Sequence, residues 1–129
     1  MKPQQDKKIF YNKLVRDLIK VKIEGKGEQC EIRVIEDDSE FEQELLKKVI
    51  EEASALAHVS SRDEFLAEYA DLMAVLDALT AHLEISEAEI KTAIGENMEK
   101  KGGFKNKHFL HWSSDSGYKS NETPQGLHS

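Results

Sequence analysis

The fold is decided by residues 39–83, SEFEQELLKKVIEEASALAHVSSRDEFLAEYADLMAVLDALTAHL, which carry two helical hydrophobic patterns in succession. When residues are placed about 100° apart, as in an α-helix, each half of this stretch collects its apolar side chains on one face. The first half gives a narrow stripe of Phe41, Leu45, Val49, Leu56 and Val59, and the second gives a broader one of Phe65, Tyr69, Leu72, Val75, Leu76, Leu79 and Leu83. The pattern predicts two consecutive helices that pack against each other in an antiparallel arrangement.

Three serines indicate where helices begin. Each is followed three residues later by a glutamate, which is the spacing of a capping box. The pairs are Ser39 with Glu42, Ser61 with Glu64, and Ser86 with Glu89. They predict helices over about residues 40–58, 62–83 and 87–101, the last of which ends at the Gly102-Gly103 pair.

The flanking segments complete the predicted fold class, which is mainly α. Apolar spacing over residues 14–22 predicts a short helix with Asn12 as its cap. Alternation of apolar and charged residues over 30–35 predicts a strand. A second strand near residues 107–112 would pair with it. The expected architecture is therefore a helical bundle with a small two-stranded ribbon.

Bulk composition limits the classes of function. The chain has 18 basic and 25 acidic residues, and its net charge of −7 argues against extensive contact with nucleic acid or an anionic membrane. The single cysteine, Cys30, excludes an internal disulfide. No segment resembles a signal peptide or approaches the roughly 18 apolar residues of a membrane span, so a cytoplasmic location is expected. We expect one domain over residues 1–112 and a poorly ordered polar tail over residues 113–129.

Carboxylates on the apolar faces of the two central helices are the first functional signal. Glu52 falls within the stripe of the first helix, Glu68 falls within that of the second, and Asp71 lies at its border. An ionised carboxylate that faces a helical core is costly unless it meets a cation. A shared metal ion is the simplest explanation, and an all-oxygen set that also includes Glu51 suits Mg²⁺ or Mn²⁺. The alternatives are that these acids pair with a buried lysine or arginine, or that they lie in solvent.

A di-iron helical bundle also projects glutamates inward, but it requires Glu-x-x-His pairs. His58 and His82 are preceded three residues earlier by Ala55 and Leu79, so neither pair is present. The sequence also lacks a P-loop and a nucleophile elbow. Hydrolysis by a water that a metal activates needs no nucleophile from the protein.

Two basic clusters are candidate binding sites for an anionic substrate. Lys13 and Arg16 fall in the first turns of the predicted short helix, where free backbone N–H groups also favour anions. Lys100 and Lys101 precede a diglycine that would allow close approach of the backbone to a phosphate. Each cluster, taken alone, also fits an ordinary solvated helix end.

Four short motifs together resemble a known family. They are Tyr11-Asn-Lys-Leu-Val-Arg-Asp17, Glu51-Glu52, Glu68-x-x-Asp71 and Lys101-Gly-Gly-Phe104. In this order and spacing they resemble the all-α, MazG-like nucleoside triphosphate pyrophosphohydrolases, in particular the house-cleaning branch that is related to phosphoribosyl-ATP pyrophosphohydrolases. The resemblance covers roughly residues 9–112.

The resemblance implies that Glu51, Glu52, Glu68 and Asp71 are the catalytic residues and bind Mg²⁺. The family pattern on the first of the two helices is Glu-Glu-x-x-Glu, and Ala55 stands at its third acidic position. This departure removes one expected ligand. It leaves open a single ion in place of two, a water in place of the carboxylate, or a loss of activity.

The implied reaction is hydrolysis of nucleoside triphosphates, non-canonical ones included, to the monophosphate and pyrophosphate. Lys13, Arg16 and Lys101 would neutralise the phosphates, and Asn12 would add a hydrogen bond. Members of this superfamily form homodimers or homotetramers, which agrees with apolar residues that a single chain would leave uncovered, namely Leu46, Ile50, Leu66 and Met73. Two alternative functions remain, a catalytically impaired helical binding protein and a phosphohydrolase of a non-nucleotide diphosphate.

Overall fold

Four helices make up the regular structure of residues 7–114, the part of the chain that this computed structural model describes. They are α1 (Ile19–Gly25), α2 (Asp38–Ala57), α3 (Arg62–His82) and α4 (Glu87–Lys101). The three long helices lie within two residues of the predicted bounds. The expectation of a mainly α fold is confirmed for the described residues.

Helices α2 and α3 pack as an antiparallel hairpin. The connection between them is only four residues long, which favours antiparallel neighbours. The end of α3 lies beside the beginning of α2, since the His82 ring packs edge-on against Phe41 at a centroid distance of 5.3 Å. His82 Nε2 also lies 3.4 Å from Glu42 Oε1.

A small apolar core holds the hairpin together. Leu45 on α2 and Val75 and Leu79 on α3 are buried, with 3%, 5% and 8% of their surface exposed. The partly buried residues Leu14, Phe41, Val49 and Ala78 pack against them. Of the remaining residues in the predicted α3 stripe, Leu72 is partly buried, and the others stay exposed in the single chain, namely Phe65, Tyr69, Leu76 and Leu83.

Two of the three predicted helix starts are confirmed, and the third is shifted. The Ser61 hydroxyl accepts a hydrogen bond from the Glu64 N–H, and Ser86 accepts one from Glu89. The Glu89 carboxylate in turn accepts from the Ser86 N–H, which holds the pKa of Glu89 below its usual range. Helix α2 instead begins after Asp37, whose carboxylate accepts from the Glu40 N–H. An aspartate caps a helix as well as a serine does, and Asp37 takes the place of the predicted Ser39.

The first helix is shorter than predicted. It begins at Ile19 and not at residue 14, and Asn12 is not its cap but has a left-handed backbone with φ of 46°. Tertiary contacts explain this difference, because Leu14 packs against the α2–α3 core and residues 13–16 contact acidic residues of that hairpin. Such contacts override a modest helix propensity.

The predicted two-stranded ribbon does not form in residues 7–114. Neither 30–35 nor 107–112 is a strand. A two-stranded ribbon is marginally stable without further packing, so alternation alone is a weak constraint. The side chain of Arg33 in the first segment instead pairs with Glu40 on α2.

The chain divides into two compact units, Met1–Ile90 and Lys91–Ser129, and the hairpin belongs to the first. Of the predicted tail over 113–129, all but the first two residues lie outside the described part. In the second unit, Gly102 ends α4 with φ of +75°, a conformation that favours glycine, and its N–H donates to the Met98 carbonyl. No helix of the described residues is long and apolar enough to cross a membrane.

Candidate metal centre

Three of the four predicted metal ligands converge on one point of the hairpin. Glu52 comes from α2, and Glu68 and Asp71 come from one face of α3, three residues apart. One carboxylate oxygen from each lies within 4.8 Å of the other two. All three residues are partly buried. The antiparallel packing of α2 on α3 therefore produces an acidic triad, as the helical faces predicted.

The triad could hold a metal ion, and its all-oxygen donor set suits a hard divalent cation such as Mg²⁺. Mg²⁺ binds oxygens at about 2.0–2.1 Å in an octahedron, so its ligand oxygens are about 2.9 Å apart when adjacent and about 4.2 Å apart when opposite. Carboxylates separated by at most 4.8 Å reach these distances by small side-chain rotations. No sulfur or imidazole takes part, and three carboxylates leave coordination positions for phosphate and water oxygens.

A buried lysine that the sequence analysis did not single out lies beside the triad. Lys48 is 8% exposed, and its ammonium lies 3.6 Å from Glu52 Oε2 and 3.3 Å from Glu51 Oε2. Glu52 therefore both pairs with a buried lysine, as the alternative interpretation expected, and belongs to the triad. One face of α2 carries Leu45, Lys48 and Glu52 at spacings of three and four residues. This spacing is the sequence signal from which the burial of Lys48 beside Glu52 could have been predicted.

Glu51 lies next to the triad but does not join it. Its Oε2 accepts hydrogen bonds from two ammonium groups, Lys13 at 3.0 Å and Lys48 at 3.3 Å. The hydrogen bond from Lys13 is the main cause of a pKa of Glu51 below its usual range, and partial burial opposes this shift. In this arrangement Glu51 binds the two lysines and stays ionised at neutral pH.

Two basic residues of the segment before α1, Lys13 and Arg16, reach acidic residues of the hairpin. Lys13 pairs with Glu51, and Arg16 Nη1 lies 3.5 Å from Asp71 Oδ1. Both contacts are solvent-exposed, and the Arg16 side chain is 61% exposed. The Lys13 ammonium also lies 5.9 Å from the centre of the Tyr11 ring. One accessible cation, Arg16, therefore contacts the triad, and a second, Lys13, contacts the adjacent Glu51.

The other two predicted substrate-binding residues are not brought to the triad by any contact. Asn12 is exposed and precedes Lys13 in the chain. Lys101 is the last residue of α4 and belongs to the second compact unit. The described contacts therefore assign neither residue to the triad.

The triad leaves one carboxylate without a basic neighbour among the described residues. Glu52 pairs with Lys48 and Asp71 with Arg16, but Glu68 forms no ion pair with a basic side chain of residues 7–114. A partly buried, unpaired carboxylate between two others is the arrangement that a divalent cation would stabilise.

Comparisons of the chain with protein-family models, with curated proteins and with solved structures find no match. The functional assignment therefore depends on the motifs and on the contacts of their side chains.

Proposed function

We propose that the protein is a cytoplasmic, Mg²⁺-dependent nucleoside triphosphate pyrophosphohydrolase, which releases a nucleoside monophosphate and pyrophosphate. The observation that carries this proposal is the triad of Glu52, Glu68 and Asp71 with two exposed cations close by. Arg16 contacts Asp71, and Lys13 contacts Glu51, which adjoins Glu52. A cation site with basic residues beside it suits a metal-bound polyphosphate. The resemblance of the four motifs to MazG-like enzymes supports the same reaction.

The triad residues would hold the metal, and the exposed basic residues would bind the phosphates. An exposed ion pair contributes little to stability, so Arg16 can leave Asp71 for a phosphate oxygen at small cost. Its planar guanidinium suits two phosphate oxygens at once. When bound, Mg²⁺ would neutralise phosphate charge and lower the pKa of an attacking water.

Glu51 is the nearby acid that is not needed as a metal ligand, so it is free to contact the attacking water. Its lowered pKa keeps it ionised but makes it a weak base. We therefore assign it the role of orienting the water by a hydrogen bond and holding Lys13 toward the phosphates. Glu51 is less suited to remove a proton from this water than a group whose pKa is near neutrality.

We also propose that the chain assembles as a homodimer or homotetramer. Leu46, Ile50, Leu66 and Met73 on α2 and α3 are all exposed in the single chain. Exposed apolar residues on a two-helix hairpin with three buried core residues favour burial against a second copy.

The test is pyrophosphate release from a panel of standard and damaged nucleoside triphosphates, with and without Mg²⁺. The proposal predicts Mg²⁺-dependent release that Glu68→Gln abolishes. Asp77→Asn, which changes an exposed acid on the same helix, is the matched control and should retain activity. Absence of release from every triphosphate by folded protein would contradict the proposal.

One observation favours a second candidate, a catalytically impaired binding protein. Ala55 replaces the third acid of the family motif one turn after Glu52. Metal binding without turnover of any triphosphate would support this candidate. Turnover of a non-nucleotide diphosphate alone would indicate the same site with another substrate.

A further inference from the structure

Lys48 is the one charged residue that is buried among residues 7–114. Burial of an ammonium group is costly unless partners compensate for the lost water. Its partners are Glu51 at 3.3 Å and Glu52 at 3.6 Å, on the next turn of the same helix. This lysine therefore lies inside the acidic cluster and not on the solvated side of α2.

The charges around the cluster nearly balance without a metal. Four acids face three basic groups, so the local net charge is −1. Two of the basic groups, Lys13 and Arg16, are exposed and can turn to other anions. Lys48 has no such freedom, because 11% of its side chain is exposed and α2 fixes it one turn from both partners.

A divalent cation bound to Glu52 would meet the positive charge of Lys48 across the same carboxylate. Repulsion between a fixed ammonium and a metal ion at short range weakens metal binding, and partial burial limits the screening by solvent. Without a metal, the same ammonium offsets the repulsion between Glu51 and Glu52. Lys48 thus stabilises the metal-free arrangement and disfavours the metal-bound one.

We propose that Lys48 is a positioning residue, an internal cation that holds Glu51 and Glu52 in place without metal and lowers the affinity of the triad for a free divalent cation. The inference rests on the proposed function, because it assigns the triad to Mg²⁺. Its consequence is that tight metal binding requires the added negative charge of substrate phosphates. The free enzyme then holds little metal of its own.

The experiment titrates the full chain with Mg²⁺ alone or Mn²⁺ alone by calorimetry, with no nucleotide present. Lys48→Met removes the charge and keeps most of the volume, and it should tighten metal binding by on the order of tenfold. Lys48→Arg keeps the charge and should stay within about twofold of the parent. The matched control is Lys47→Met, since the neighbouring Lys47 is 70% exposed and pairs with Glu44 outside the triad.

Thermal unfolding provides a second readout that does not depend on activity. Lys48→Met should unfold at a lower temperature than the parent without metal, and should gain more from saturating Mg²⁺. A purely structural ion pair would lower both unfolding temperatures equally. Lys48→Gln keeps a polar side chain and replaces the methionine variant in both measurements if that variant does not fold.

Unchanged or weaker metal binding by the uncharged variant would overturn the inference, as would an absence of metal binding by every variant. The outcome is distinguishable from a failure of the proposed function. Tighter metal binding by Lys48→Met in a protein that releases no pyrophosphate would support the role of Lys48 alone. Pyrophosphate release with an unchanged metal affinity would overturn the role of Lys48 and leave the reaction in place.

Discussion

Arg16 Nη1 lies 3.5 Å from Asp71 Oδ1, although Arg16 precedes the first helix and Asp71 lies in the third. The contact joins a basic segment to the acidic triad within one compact unit. Because the Arg16 side chain is largely exposed and that of Asp71 nearly half exposed, the pair adds little to folding stability. In the proposed reaction its value would be positional, since Arg16 would be held beside the phosphates of a metal-bound substrate.

Arg16→Gln should therefore impair substrate binding far more than folding. A charge-assisted hydrogen bond to phosphate contributes about 1.5–3 kcal/mol, so kcat/KM should fall by about 10- to 150-fold, mainly through KM. The free energy of unfolding should change by less than about 0.5 kcal/mol. Steady-state kinetics and urea unfolding measure the two effects. Equal kcat/KM values for variant and parent would remove Arg16 from the substrate site.

Glu68→Gln should separate metal binding from stability. The substitution removes a negative charge between two other carboxylates, so the metal-free protein should be as stable as the parent or slightly more stable. The same change would remove a ligand of the proposed metal site, so the rise in melting temperature expected for the parent at saturating Mg²⁺ should disappear. Thermal unfolding with and without Mg²⁺ tests both statements. A persistent rise would mean that the metal binds elsewhere.

Ala55→Glu should supply the third acid of the MazG-like pattern that the sequence resembles. Residue 55 is one turn after Glu52 on α2, on the same side of the helix. If a missing ligand alone weakens the site, metal affinity should increase by about tenfold, as an added charge-assisted contact would provide. Calorimetric titration with Mn²⁺ measures the change, and Ala53→Glu, which is exposed on α2, is the control. An unchanged affinity would place residue 55 away from the ion.

Helical periodicity was sufficient to predict the triad. An angle of about 100° per residue determines which side chains share a face, and Glu52, Glu68 and Asp71 lay on or beside apolar faces that must meet. The same reasoning places Glu51 toward the polar side of the helix, about 100° from Glu52. Only the contacts show that Glu51 binds Lys13 and Lys48 beside the triad. It passed over Lys48 because a lysine beside acids on a helix is usually solvated.

The secondary-structure predictions that are wrong concern segments whose structure depends on contacts with distant parts of the chain. The helix predicted from residue 14 begins at Ile19 because Leu14 and its neighbours pack against the hairpin. The alternation of residues 30–35 is compatible with a strand, but a strand needs a partner, and sequence pattern alone does not supply one. Local caps were predicted better, since their hydrogen bonds lie within four residues.

Leu45→Ala should be strongly destabilising. Leu45 is the most buried residue of a core with only three buried members, and truncation of a buried leucine costs about 2–5 kcal/mol. Urea unfolding measures the loss. Ile50→Ala on the same helix, where the side chain is exposed, should cost less than about 0.5 kcal/mol in a single chain. A larger cost at Ile50 that increases with protein concentration would indicate that a second copy covers it.

Arg33 should control the acid titration of Glu40. A hydrogen bond from the Arg33 guanidinium is the main cause of a Glu40 pKa below the ordinary value of 4.5. Because the folded-state pKa is lowered, the pair stabilises the fold above the ordinary pKa, and this contribution is lost as the pH falls through the lowered value. Arg33→Gln should raise the pKa of Glu40 toward 4.5 and reduce the pH dependence of unfolding in that acidic range. Carboxyl-carbon NMR titration measures the pKa, with Arg62→Gln as the control. A Glu40 pKa that does not rise in Arg33→Gln would show that this ion pair does not form in solution.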